Sequence, residues 1–241
     1  MHGERRIYVD GNALARSVAQ HVVTLANDTR SKRRPFAVAL AGGSTPRPAY
    51  VKLASPEFAD RIEWDRAHIF WSDERCVLPD RNESNYRMVR EALLDHVPIP
   101  DENVHRMRGE LPPEEAARAY EAEMDALFRE IDVTGFDLIL LGLGEDGHTA
   151  SLFPGTAALE ERKRWVAANY VEKLKAWRLS LTLPAINAAE DVVFVVSGER
   201  KRNILRRVWD APEKPVLPSQ RVQPDDGRLI WMVDAEAAGV I

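Results

Sequence analysis

Phe36-Ala37-Val38-Ala39-Leu40-Ala41-Gly42-Gly43-Ser44-Thr45-Pro46 reads as a buried strand that runs through a glycine turn and two hydroxyls into a helix. An unbroken apolar run of this length fits a strand covered on both faces, and Pro46 suits the first turn of a helix. Working outward, similar short runs recur at 6–9, 68–71, 136–141, 178–183, 192–196 and 229–233. Between them, 12–26 and 114–131 repeat apolar residues at three and four. The second places Ala116, Tyr120, Met124, Leu127 and Ile131 on one stripe opposite Glu and Arg. Strands alternating with amphipathic helices predict an α/β fold, an open, mostly parallel sheet flanked by helices on both faces. The prolines at 98, 100, 112, 113, 212, 215 and 218 fall between periodic segments rather than in a linker, and no repeat is visible. Residues 1–241 are therefore expected to form a single domain.

Composition narrows the functions. Lys plus Arg number 33 against 38 Asp plus Glu, a net charge of -5. That balance argues against a nucleic-acid binder, which must neutralise phosphates. Cys76 is the one cysteine, so neither an internal disulfide nor a thiolate metal cluster can form, as suits a reducing, cytoplasmic setting. No apolar run nears the roughly 20 residues of a membrane span, and residues 1–10 lack a signal-peptide pattern. His2, His21, His68, His96 and His105 are scattered without ligand spacing, and H-E-x-x-H and C-x-x-C are missing, so no metal is expected. The charge run 160–164 reads as solvated surface.

Three segments carry chemistry. Gly42 and Gly43 let the backbone approach an anion, and Ser44 and Thr45 offer hydroxyls beside a helix start, which together suggest a phosphate cradle. A plain strand-to-helix turn capped by Ser or Thr fits the same residues. There is no P-loop lysine, so a nucleoside triphosphate is not implied. Next, Ser72-Asp73-Glu74-Arg75-Cys76 follows the strand at 68–71, with Ser84 and Asn85 downstream. Ligands of open parallel sheets sit outside the carboxyl ends of strands, where Asp73 can accept from hydroxyls and Arg75 can hold an anion or oxyanion. A surface ion-pair turn is the alternative.

The third segment is Gly142-Leu143-Gly144-Glu145-Asp146-Gly147-His148-Thr149-Ala150-Ser151-Leu152-Phe153-Pro154-Gly155. Its glycines match G-x-G-x-x-G, but a dinucleotide fingerprint needs a long helix next, and Pro154 follows too soon. The glycines instead predict a folded loop presenting His148, an imidazole suited to take and return a proton near neutral pH. Asp146 is placed to bias its tautomer. A histidine capping its own helix start is the competing reading. Arg178 and Lys201, near strand ends, are candidate phosphate partners, while Lys173 and Lys175 read as solvated charges.

Together these segments resemble the 6-phosphogluconolactonase family, whose G-G-S-T-P loop, D-E-R turn with downstream S-N, and G-x-G-x-D-G-H-T-A-S-L-F-P-G loop occur here in that order. The likeness extends to the tail, through 218–224 and 231–238. It implies a Rossmann-like sheet of the glucosamine-6-phosphate deaminase type, and hydrolysis of 6-phospho-D-glucono-1,5-lactone in the oxidative pentose phosphate pathway. It further implies no metal or cofactor and a small-molecule sugar-phosphate substrate; neither nucleic acid nor membrane is expected as a partner, and the chain is expected to be a monomer or small homo-oligomer. Catalysis then falls on His148, with Asp73, Arg75 and Asp146; substrate and phosphate contacts fall on Gly42, Gly43, Ser44, Thr45, Asn85, Arg178 and Lys201. One departure is Lys175-Ala176-Trp177-Arg178, where a proline-rich entry is expected. A deaminase would continue differently after the histidine, with a Glu-Pro pair. A sugar-phosphate-sensing regulator would need a DNA-binding module for which the chain has no spare length.

Overall fold

The computed structural model describes residues 3–210 and 216–240; His2 and the prolines at 212 and 215 lie outside them. The apolar runs become β1 (Glu4–Tyr8), β2 (Phe36–Leu40), β3 (Ala67–Trp71), β5 (Leu138–Leu141), β8 (Asp191–Val196) and β9 (Arg228–Asp234). They form one sheet in the order β1-β9-β8-β5-β2-β3, with every neighbouring pair parallel. Alternate residues feed two cores, as the two-residue period of a strand requires. Ala37, Ala39, Ile139, Leu141, Val192 and Phe194 face one core, and Val38, Leu40, Leu138, Leu140, Val193 and Val195 face the other.

Helices cover both faces. α1 (Gly11–Ser31), α2 (Arg47–Leu53) and α3 (Asn85–Ala92) close the second core. α4 (Pro113–Glu130), α5 (Leu183–Asn187), α6 (Arg202–Trp209) and α7 (Ala235–Ala238) close the first. α1 is capped by Asp10, whose Oδ1 accepts from the Ala13 amide at 2.7 Å. In α4 the stripe turns toward Phe128, which is buried beside Tyr120 and Met124, while Leu127 and Ile131 are only partly covered.

The run at 178–183 does not join the parallel sheet. It is β7 (Ala176–Leu181), the centre of a separate antiparallel sheet β4-β7-β6 with β4 (Asp73–Arg75) and β6 (Val166–Val171). Leu179 and Leu181 enter the first core, but Arg178 does not, so the strand is apolar on alternate residues only, which an inner parallel strand rarely is. Pro46 also sits one place earlier than expected: it is the cap, and α2 starts at Arg47.

The connections decide where a ligand can sit. From β2 the chain moves outward to β3, whereas β5 lies on the opposite side of β2. The loops leaving β2 and β5 therefore diverge at their carboxyl ends, the switch point where open α/β sheets form a crevice. No helix among the described residues is long and apolar enough to cross a membrane.

Candidate functional site

The crevice is a cavity of about 490 Å³, lined from four strand ends. The loop after β2 supplies Gly42, Gly43, Ser44 and Thr45, and the segment after β3 supplies Ser72, Asp73 and Arg75 with Asn85 behind them. The loop after β5 supplies Asp146, His148, Ser151 and Phe153. Arg178 enters from β7, and Lys201 from the turn Glu199–Lys201 after β8. All eleven residues singled out in the sequence line this one cavity.

Close packing explains the first glycine. A Cβ on Gly42 would stand 1.8 Å from Oδ1 of Asn85, so only glycine admits Asn85 there. Gly43 has φ of +93°, in the left-handed region that disfavours other residues. Among the described residues neither the Ser44 nor the Thr45 hydroxyl bonds to another side chain or caps α2, which leaves both donors to the cavity. The capped-turn alternative is thereby set aside.

Asp73 is held from two directions. Ser151 Oγ donates to its Oδ2 at 2.7 Å, and Asn85 Nδ2 donates to its Oδ1 at 3.2 Å and to its carbonyl at 2.9 Å. Asn85, 2% exposed, thus orients Asp73. Behind it, the buried Glu74 carboxylate accepts from the amides of Arg75, Asn85 and Tyr86 at 2.7–2.8 Å and from Ser84 Oγ at 3.0 Å. Burial pushes Glu74 above the usual carboxylate range, against the pull of those amides. This pin between β4 and the start of α3 was not anticipated from sequence, although Glu74 lies inside the quoted turn. Arg75 and Arg178 face one another across the β4–β7 pair, and burial together with the Arg75 charge pushes Arg178 down. Two adjacent guanidiniums of this kind concentrate positive charge on this side of the cavity, as suits an anionic ligand.

The loop after β5 is not a helix start. Gly144 N–H donates to the His148 carbonyl at 2.8 Å, Gly147 N–H to the Gly144 carbonyl at 2.9 Å, and Thr149 Oγ1 to the Gly142 carbonyl at 2.9 Å. Gly147 has φ of +82°. The chain continues through the Thr149–Leu152 bridge, so both the dinucleotide pattern and a helix-capping histidine are ruled out. The His148 ring stacks on Phe153 with centroids 4.1 Å apart, and its Nδ1 meets Asp146 Oδ1 at 2.5 Å. Burial alone would raise the Asp146 carboxyl, but hydrogen bonds from Lys173 and His148 hold it down at about 2. An ionised carboxylate can only accept, so Nδ1 carries the proton and the neutral imidazole keeps its lone pair on Nε2. Behind the loop, Ser219 N–H donates to the Gly147 carbonyl at 3.0 Å.

Sequence reasoning missed Ser151, Phe153, Lys173 and Leu174 as cavity residues. The first two lie inside the quoted motif, where their roles depend on partners far along the chain. The finished site places Arg75, Arg178, Lys173 and Lys201 around Asp73, Glu145 and Asp146. It can hold a small polyhydroxylated anion beside one base.

Residues 9–231 match the family described as glucosamine-6-phosphate isomerases/6-phosphogluconolactonase. The chain is 40% identical over 233 residues to a 6-phosphogluconolactonase from Nostoc sp., covering 95% of this chain and 94% of that one. It is 39% identical over 238 residues to a 6-phosphogluconolactonase from Homo sapiens, with coverage of 96% and 89%. Among solved structures it is similar to a 6-phosphogluconolactonase from Thermotoga maritima, with a TM-score of 0.81, 32% identity, and coverage of 96% and 99%.

Proposed function

The chain belongs to the glucosamine-6-phosphate isomerase/6-phosphogluconolactonase family, and we propose on that premise that it hydrolyses 6-phospho-D-glucono-1,5-lactone to 6-phospho-D-gluconate with His148 as base and then acid. The observation that carries this reading is the His148–Asp146 pair, which leaves Nε2 as the proton acceptor in a cavity walled by hydroxyls and guanidiniums. The reaction belongs to the oxidative pentose phosphate pathway, and the whole chain acts as one sugar-phosphate lactonase domain in the cytoplasm.

A lactone is an activated ester, so four things suffice: a placed water, a base, donors for the tetrahedral oxyanion, and a proton for the departing ring oxygen. Nε2 of His148 takes a proton from water as its oxygen bonds to C1. Electrons move onto the carbonyl oxygen, and Arg75 stabilises the charge. Collapse re-forms the carbonyl and breaks the bond from C1 to the ring oxygen, which receives the proton from the imidazolium. The products are the free acid and a regenerated neutral histidine. Asp73, held by Asn85 and Ser151, orients sugar hydroxyls. Ser44, Thr45, Lys201 and Arg178 hold the phosphate, whose binding energy fixes the reacting end.

The test is turnover of freshly generated lactone, with spontaneous hydrolysis subtracted, beside ammonia release from glucosamine 6-phosphate. Acceleration of the first alone is expected. Ammonia release without lactone hydrolysis would overturn the proposal.

A further inference from the structure

We propose that Lys173 is a positioning residue for the acid–base step: its ammonium holds one oxygen of Asp146 so that the other stays on Nδ1 of His148. The proposal rests on the reading of His148 as base. Lys173 lies in the turn Glu172–Leu174 at the tip of the β6–β7 hairpin, 27 residues from its partner along the chain. Its Nζ contacts Asp146 Oδ2, while Oδ1 of the same carboxylate contacts His148 Nδ1. Nζ also stands 5.9 Å from the centroid of the Phe153 ring, on which the imidazole stacks. Ammonium, carboxylate, imidazole and phenyl thus close a loop in which each member limits the motion of the next.

Asp146 has no other cation on it among the described residues. Without Lys173 its carboxylate can turn into solvent, since its side chain is 28% exposed, and the imidazole loses its fixed tautomer. The other charges facing His148 are Glu145 on its own loop, and Asp73, Arg75, Arg178 and Lys201 across the cavity.

Lys173→Met is expected to lower kcat about fivefold with KM unchanged, the range of an exposed ion pair. Nitrogen NMR of the His148 imidazole shows the proton held on Nδ1 in wild type and spread over both ring nitrogens in the variant. Lys173→Arg restores both. In an Asp146→Asn background the lysine substitution has no further effect on kcat. A rise in KM at constant kcat would make Lys173 a substrate ligand and overturn the proposal, as would full additivity with Asp146→Asn or an unchanged tautomer in Lys173→Met. Full activity in His148→Ala would instead remove the underlying reading, whereas the NMR tautomer of wild type and Lys173→Met still reports on the Lys173–Asp146–His148 coupling by itself.

Discussion

Gly144→Ala disables the base without replacing any group that takes part in the chemistry. A Cβ built there lies 2.0 Å from Nδ1, 2.1 Å from Cε1 and 2.7 Å from Cγ of His148. Ordinary contact begins near 3.4 Å, so the imidazole must retreat by about 1.4 Å, the difference between 3.4 and 2.0. The backbone at Gly144 is outside the left-handed region, so alanine keeps the local conformation and the amide that closes the loop on the His148 carbonyl. The ring leaves its stack on Phe153 and its bond to Asp146, the two contacts that fix it. Misplacing a reacting group by about 1 Å costs about 10²-fold in rate, and losing the base altogether costs about 10² to 10⁴. The expected kcat is therefore down by at least about 10²-fold, with KM little changed because the phosphate contacts lie on other strands. Steady-state kinetics with the spontaneous rate subtracted, alongside a thermal melt, measures both. A folded Gly144→Ala enzyme with kcat within twofold of wild type would refute the placement of His148.

Gly42→Ala forces Asn85 off Asp73, since the new Cβ would lie 1.8 Å from Oδ1 of Asn85, and kcat/KM is expected to fall about tenfold, as for loss of one hydrogen bond to a charged group; an unchanged value would show that Asp73 needs no such support. Ser44→Ala and Lys201→Ala are each expected to raise KM about fivefold to tenfold, measured by initial rates, and unchanged KM in both would place the phosphate elsewhere. Asp146 is held at about 2 in the folded protein, below its unfolded value, so its contribution is present at neutral pH and is lost as pH falls from about 4 to about 2. Discounted for exposure, that contribution is about 1 kcal/mol, or about 2–4 °C in Tm. Asp146→Asn should melt lower than wild type at pH 7, and the gap should close between about pH 4 and pH 2. A gap that widened on acidification would have the wrong sign.

The parallel sheet was legible in the sequence because strands buried on both faces leave unbroken apolar runs, as at Phe36–Leu40 in β2 and Leu138–Leu141 in β5. β6 left no such trace: in Val-Ala-Ala-Asn-Tyr-Val two alanines and an asparagine separate the strand formers, and its burial depends on pairing with β7. β4 read as a charged turn for the same reason, since its pairing partner lies about a hundred residues on. Most residues of the cavity were legible because they sit in local patterns of glycines, hydroxyls and charge after a strand, whereas Arg178 lies inside β7 and Asn85 opens α3. What holds them was not. The Ser151 bond to Asp73 spans 78 residues and the Lys173 contact with Asp146 spans 27, and no local pattern announces either. Gly144 shows the same limit, because its need for a missing Cβ arises from the imidazole folded back over it.

The most direct measurement is hydrolysis of fresh 6-phosphogluconolactone by wild type and His148→Ala, with chelator present and spontaneous hydrolysis subtracted. Wild type should be unaffected by chelator, and the variant should lose about 10² to 10⁴ in kcat while keeping its KM. A folded variant that retains the wild-type rate would contradict the assignment of the base and the mechanism built on it.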